Sequence, residues 1–227
     1  MVNLGIPERK EREKGHRREE ILDAAQAVFF GKGLAAATMD EIAETAELSK
    51  GTLYLYYKSK EDLYLAVMMR GIQILQDDLA AVIARNEPVP QTVVSLAQAF
   101  FAFFQKHRDY FRMLHFLQMP QLHKQATEEM RESCRTLNHE TWELVIDVLR
   151  RGISDGTVRP DLNPAEILVI LWSSATALLL RIDSEDDLWN KRFHINLTET
   201  LNLSNKLLLG AIFTEQGRRQ LAETSAL

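Results

Sequence analysis

The chain has 227 residues, with 46% apolar and 26% charged residues. Those proportions fit a folded globular protein and exclude a disordered one. No apolar run reaches the ~20 residues that span a bilayer, and Met1 to Glu20 is too charged for a signal peptide. The single cysteine, Cys134, cannot form an internal disulfide. The expected compartment is the cytoplasm, with no membrane partner. Net charge is −5, yet residues 1–60 balance ten Lys/Arg against ten Asp/Glu. A local basic face suffices for phosphate, because fields are screened within about 10 Å at 0.1 M salt.

Apolar spacing is helical throughout, and no apolar/polar alternation persists as it would in a strand. The first helix is expected from about Arg17 to Gly31, with Ile21, Leu22, Ala25, Val28 and Phe29 on one face. Gly33 can adopt the positive φ that ends it. Thr38 with Glu41 three residues on predicts a capping box for a second, short helix ending near Ala46. A third runs over about 49–56. Ser59, with Asp62 at the reciprocal position, starts a fourth that reaches about Ala84. Longer helices follow at about 91–106, 109–118, 121–153, 164–182 and 197–214. Asn163-Pro164-Ala165-Glu166 is a cap, a first-turn proline and an acid in order. The acidic stretch Asp183 to Asp187 is expected as a solvated connection.

Two short helices joined by a turn of about four residues form a helix-turn-helix. Ile42, Ala43 and Leu53 would lock them, with Phe29 closing the small core. The outward face then carries Ser49, Lys50, Gly51, Thr52, Tyr54, Tyr56, Tyr57 and Lys58, followed by Lys60. Hydroxyls, amines and a glycine suit phosphates and base edges in a major groove. On spacing alone, a purely structural hairpin remains an equal reading.

Residues 17–68 resemble the DNA-binding domain of the tetracycline-repressor (TetR) family almost without a gap. The key stretch is T-M-D-E-I-A, then S-K-G-T-L-Y-x-Y-Y-K-S-K-E-D-L. The resemblance implies an all-α homodimer of about nine helices per chain. Its parts would be a charged tail over 1–16, a helix-turn-helix domain over 17–60, and a ligand-binding and dimerisation domain over 61–227. Carried over by position, Thr38, Lys50, Gly51, Thr52 and Tyr54 would face DNA, while Tyr56, Lys58 and Lys60 would hold phosphates. Tyr57 stands where the family usually has phenylalanine, so its ring is expected in the core. Glu8 to Lys14 either extends the first helix or stays loose; the tail is expected to be solvated, with a minor-groove arm through Arg9, Lys10, Arg12 and Lys14 as the alternative.

In the body, Leu168, Leu171, Trp172, Ala175 and Leu179 line one stripe, and Leu201, Leu208 and Ile212 another. Two such helices from each subunit would make a four-helix dimer interface, unless the stripes pack inside one chain. The segment 100–119 is rich in aromatics and methionine. The family resemblance implies a cavity there, with Phe100, Phe104, Phe111, His115, Phe116, Met119, His139 and Trp142 as ligand-binding candidates; residue by residue, ordinary core packing competes. No close ligand spacing among the histidines predicts a metal, and no cofactor or catalytic motif appears. The expected function is a repressor released from an inverted-repeat operator in double-stranded DNA by a small apolar or amphipathic effector. The alternative is a DNA-binding protein without a small ligand, controlled by a protein partner or acting in genome organisation.

Overall fold

The computed structural model describes residues 6–115 and 125–224. Ten helices are found among them: α1 (Ile6–Ala36), α2 (Met39–Thr45), α3 (Lys50–Tyr56), α4 (Lys60–Ile83), α5 (Val89–Lys106), α6 (Arg108–His115), α7 (Glu128–Ser154), α8 (Pro164–Phe193), α9 (Leu197–Ile212) and α10 (Glu215–Thr224). The only strand-like feature among the described residues is an isolated antiparallel bridge between Val158 and Phe213. The fold is all-α.

Helix α1 extends well ahead of Arg17. Of the two readings of the charged run, the helical one holds: α1 starts at Ile6, with alternating charges three and four residues apart that pair along it, Arg9 with Glu13 at 3.0 Å and Arg17 with Glu20 at 2.7 Å. Gly33, at φ 72°, breaks the helix near the point its sequence suggests. Only glycine takes that angle cheaply.

The chain divides into two compact units. The first comprises residues 1–72 and 113–137. Its core contains Ile21, Ala25, Phe29, Ile42, Leu53, Leu63 and Met68, all at most 3% exposed. Phe29 meets the Tyr64 ring edge-on at 5.1 Å. Arg70 of α4 grips α1 through Asp23 (2.6 Å), Glu19 (2.5 Å) and Gln26 (3.2 Å).

The second unit comprises residues 73–112 and 138–227. Its core joins Val89, Val93 and Leu96 of α5 to Ile146 and Leu149 of α7, Ile167 and Leu168 of α8, Leu209 and Ile212 of α9, and Phe213. Helices α8 and α9 pack together, as do α5 and α10. Helix α10 had no counterpart among the sequence expectations. It is held where Gly217 approaches the Thr157 carbonyl so closely that an added Cβ would lie 2.3 Å from that oxygen.

The stretch expected as a loop over 183–187 is helical, extending α8 to Phe193. Side-chain pairs support it: Arg181 with Glu185 at 2.8 Å, Asp187 with Lys191 at 2.8 Å, and the Trp189 indole donating to Glu185 at 2.9 Å. Asp183 is drawn in by Arg112, whose Nε lies 2.7 Å from its carboxylate. The expectation that no segment is long and apolar enough to span a bilayer is corrected by α8, which is so by length and composition. Of its most apolar window, 17% is buried within the chain.

Candidate nucleic-acid interface

The capping box at α2 forms as its sequence requires. The Glu41 amide donates to Thr38 Oγ1 at 3.2 Å, and the Thr38 amide donates back to the Glu41 carboxylate at 3.2 Å. Lys32 adds an ion pair to Glu41 at 2.7 Å. That hydrogen bond, with help from Thr38, holds the Glu41 carboxyl below its usual pKa against partial desolvation. The turn from α2 to α3 passes through Glu47 at φ 55°. Ser49 then caps α3, accepting from the Thr52 amide at 3.1 Å.

Leu53 is fully buried and fixes which side of α3 faces the core. Lys50, Gly51, Tyr54, Leu55 and Lys58 are exposed, Thr52 and Tyr56 are half-buried, and Thr38 is exposed at the start of α2. The candidates from Thr38 to Lys58 therefore gather on the two helix starts and one open helix face. Two have partners that spacing could not reveal. Lys50 Nζ lies 2.7 Å from Asp40 of α2, which raises its pKa above the ordinary lysine value. The Thr52 and Ser49 hydroxyls are 2.8 Å apart. Lys60 Nζ donates to the Ala37 carbonyl at 2.9 Å, so this ammonium is engaged in joining α4 to the residue before Thr38.

Tyr57 is 3% exposed, in the core position expected for a phenylalanine. The Arg18 guanidinium lies 5.6 Å from the centre of its ring, and burial pushes the phenol's pKa up. Leu55, absent from the sequence candidates, stands 77% exposed. Its apolar side chain gave no signal to a search for hydrogen-bonding groups.

Among the ligand-binding candidates, Phe104 and Phe111 are buried with ring centroids 5.0 Å apart, and Phe100 lies 6.0 Å from Phe111. Trp142 meets Trp172 edge-on at 4.8 Å. His139, in contrast, is exposed on α7. His115 is the last residue of α6, and Phe116 and Met119 fall outside the described residues. The Arg108 guanidinium lies 5.1 Å from the centre of the Phe104 ring.

The interface candidates divide. Leu168, Leu179, Leu201 and Ile212 are buried inside the chain, while Leu171, Trp172, Ala175 and Leu208 are half-buried. Helical spacing locates an apolar stripe but not the surface that covers it. Exposed apolar residues lie one or two positions along, Val169 and Ile170 on α8 and Leu203 and Leu207 on α9, with Leu188 further along α8.

Comparison with known proteins agrees with this arrangement. Residues 21–67 match the family of bacterial regulatory proteins, tetR family, and residues 90–182 match a tetracyclin repressor-like C-terminal domain. The transcriptional repressor KstR2 of Mycolicibacterium smegmatis is 30% identical over 158 residues, covering 65% of this chain and 70% of that one. The transcriptional activator FasR of the same organism is 35% identical over 101 residues, covering 44% of this chain and 46% of its own length. The regulator FadR from Bacillus subtilis, solved in complex with stearoyl-CoA, superposes with a TM-score of 0.64 at 18% identity, covering 86% of this chain and 98% of that one. With a capped helix-turn-helix within residues 21–67 and a tetracyclin repressor-like C-terminal domain over residues 90–182, the chain belongs to the TetR family of bacterial regulatory proteins and is a DNA-binding transcriptional regulator, not an enzyme.

Proposed function

We propose that this regulator acts in the cytoplasm as a homodimeric repressor that leaves an inverted-repeat operator when a small apolar or amphipathic effector binds its body. The observation that carries the reading is the apolar exposure on both α8 and α9: Val169 at 56%, Ile170 at 53%, Leu203 at 56% and Leu207 at 65%. Exposed apolar residues recurring on two packed helices suit an interface with another chain. A second copy would cover them in a four-helix arrangement and set two α3 helices at the spacing of successive major grooves, about 34 Å.

Within each head, Thr38, Gly51, Thr52 and Tyr54 face the groove, and Tyr56 and Lys58 contact phosphate. Lys50 reaches phosphate on leaving Asp40. Lys60 acts indirectly, by holding the backbone that presents Thr38. For the effector, the buried rings of Phe104 and Phe111 and the flanking Phe100 offer an apolar lining, with the Arg108 guanidinium at its edge to suit a polar head. The association of FadR with stearoyl-CoA supports an amphipathic ligand. Helix α4 continues from the head into the body, so it carries the coupling. A hundredfold preference of the effector for one head spacing corresponds to about 2.7 kcal/mol.

Sedimentation at low micromolar concentration should give twice the chain mass, and Leu203→Glu with Leu207→Glu should give single chains. Lys58→Ala should reduce the salt dependence of DNA binding by about one unit of slope. A thermal-shift screen of lipophilic and charged compounds, followed by DNA release, tests the effector class. Release only by small charged metabolites would overturn the apolar reading.

A further inference from the structure

Three features of α3 converge on one side chain. With about 100° between successive residues, Gly51 and Leu55 each lie two positions from the buried Leu53 and so about 160° away from it. They form the centre of the open face. Thr52 and Tyr54 flank them, and Lys50 and Tyr56 lie nearest the core. Leu55 lies one turn after Gly51 on the same face of the helix. Gly51 leaves space for it: even an added Cβ there would meet only Ser49 Oγ, at 3.8 Å.

Leu55 is the most exposed large apolar side chain among the described residues, at 77%. Its polar neighbours are already engaged, Lys50 with Asp40 and Thr52 with Ser49. The middle of the face therefore offers a bare backbone and an isobutyl group. An isobutyl group pressed against a phosphate or a base-edge donor would strip its water and return no hydrogen bond. The major groove has one apolar feature, the C5 methyl of thymine.

We propose that Leu55 is a specificity-determining residue that packs on the C5 methyl of one thymine in each operator half-site. This rests on α3 entering the major groove. The full-length protein would first select duplexes from a random-sequence pool. Each thymine of the recovered consensus would then be replaced singly by deoxyuridine, which removes the methyl and leaves the base pair intact. At one thymine per half-site, the substitution should weaken binding about fourfold, the worth of one buried methyl-sized group. Leu55→Ala should bind thymine and uracil equally at that position, Leu55→Met should retain the discrimination, and Leu55→Gln should select a different base there. If no thymine is sensitive to loss of its methyl, or if Leu55→Ala keeps the wild-type ratio, the proposal is overturned. A pool yielding no consensus would overturn the groove reading itself, and this proposal with it.

Discussion

The Asp62 carboxylate accepts two hydrogen bonds from Thr127 through one oxygen: from the backbone amide at 2.7 Å and from the hydroxyl at 3.1 Å. Asp62 is 2% exposed. Its own amide donates to Ser59 Oγ at 3.0 Å, so Ser59 caps α4 as the sequence suggests. The Asp62 side chain does not complete the reciprocal half of that box. It crosses to the residue before α7, whose hydroxyl in turn accepts from the Met130 amide at 3.3 Å. A carboxylate beside a helix start also satisfies the positive end of the helix dipole. Asp62→Ala would leave the half-buried Thr127 amide without its acceptor, at a cost of about 1–3 kcal/mol in urea unfolding. Asp62→Asn, whose amide oxygen still accepts, should lose less. Thr127→Val combined with Asp62→Ala should be less damaging than the sum of the two single changes. Strict additivity would show that the two residues do not act as a pair.

Arg70 serves three acceptors on α1 from one guanidinium that is 25% exposed. The gain per pair is small at a surface, and the network as a whole should contribute about 1 kcal/mol. Arg70→Lys should behave almost like Arg70→Ala, because an ammonium cannot reproduce the fork that reaches Glu19 and Asp23 together. Melting temperatures of both variants at low and high salt check this. Full recovery by lysine would mean that charge alone matters.

The depressed Glu41 carboxyl has a defined consequence for pH. A carboxyl whose pKa is lower folded than unfolded stabilises the protein above its unfolded value and loses that effect as pH falls through the folded value. Glu41→Gln keeps an acceptor for the Thr38 amide and removes the charge facing Lys32. Its deficit relative to wild type should be full above about pH 5 and fade as the medium is acidified below about pH 4. Chemical denaturation across that range would show it. A deficit independent of pH would remove the Lys32 pair as its cause.

Two glycines predict opposite signs. Gly217→Ala places a methyl against the Thr157 carbonyl and should destabilise by about 1–3 kcal/mol. Gly31 lies within α1 with nothing within 4 Å of an added Cβ, so Gly31→Ala should stabilise by about 0.5–1 kcal/mol. Scanning calorimetry of the two variants decides both.

The helix-turn-helix was legible because its signals are local. The Thr38–Glu41 box and the Ser59 cap each depend on residues within four positions. What escaped the sequence depends on distant partners. Lys50 reads as a free cation until α2 brings Asp40 to it, and Lys60 until α4 brings it to Ala37. Asp183 reads as a solvated loop residue until α6 supplies Arg112. The stripe on α8 was visible, but which of its leucines turn inward is decided by the packing of α9 and the rest of the second unit, so Leu168 and Leu179 proved to be core. Leu55 carries no signal for a different reason: an exposed leucine is unremarkable until the helix face around it is known.

The chain crosses between its two compact units at residues 72/73, 112/113 and 137/138, each time in the middle of a helix: α4, α6 and α7. The head is therefore not a detachable cassette. A gene rearrangement that exchanged heads between two such regulators at residue 60 would leave Arg70 opposite a foreign α1, and one made at residue 72 would separate Asp62 from Thr127. Hybrids should inherit operator choice cleanly only when residues 113–137 travel with residues 1–72. Diversification of such a protein is then channelled into point changes on the open face of α3, which can alter the DNA it reads without disturbing a single shared helix.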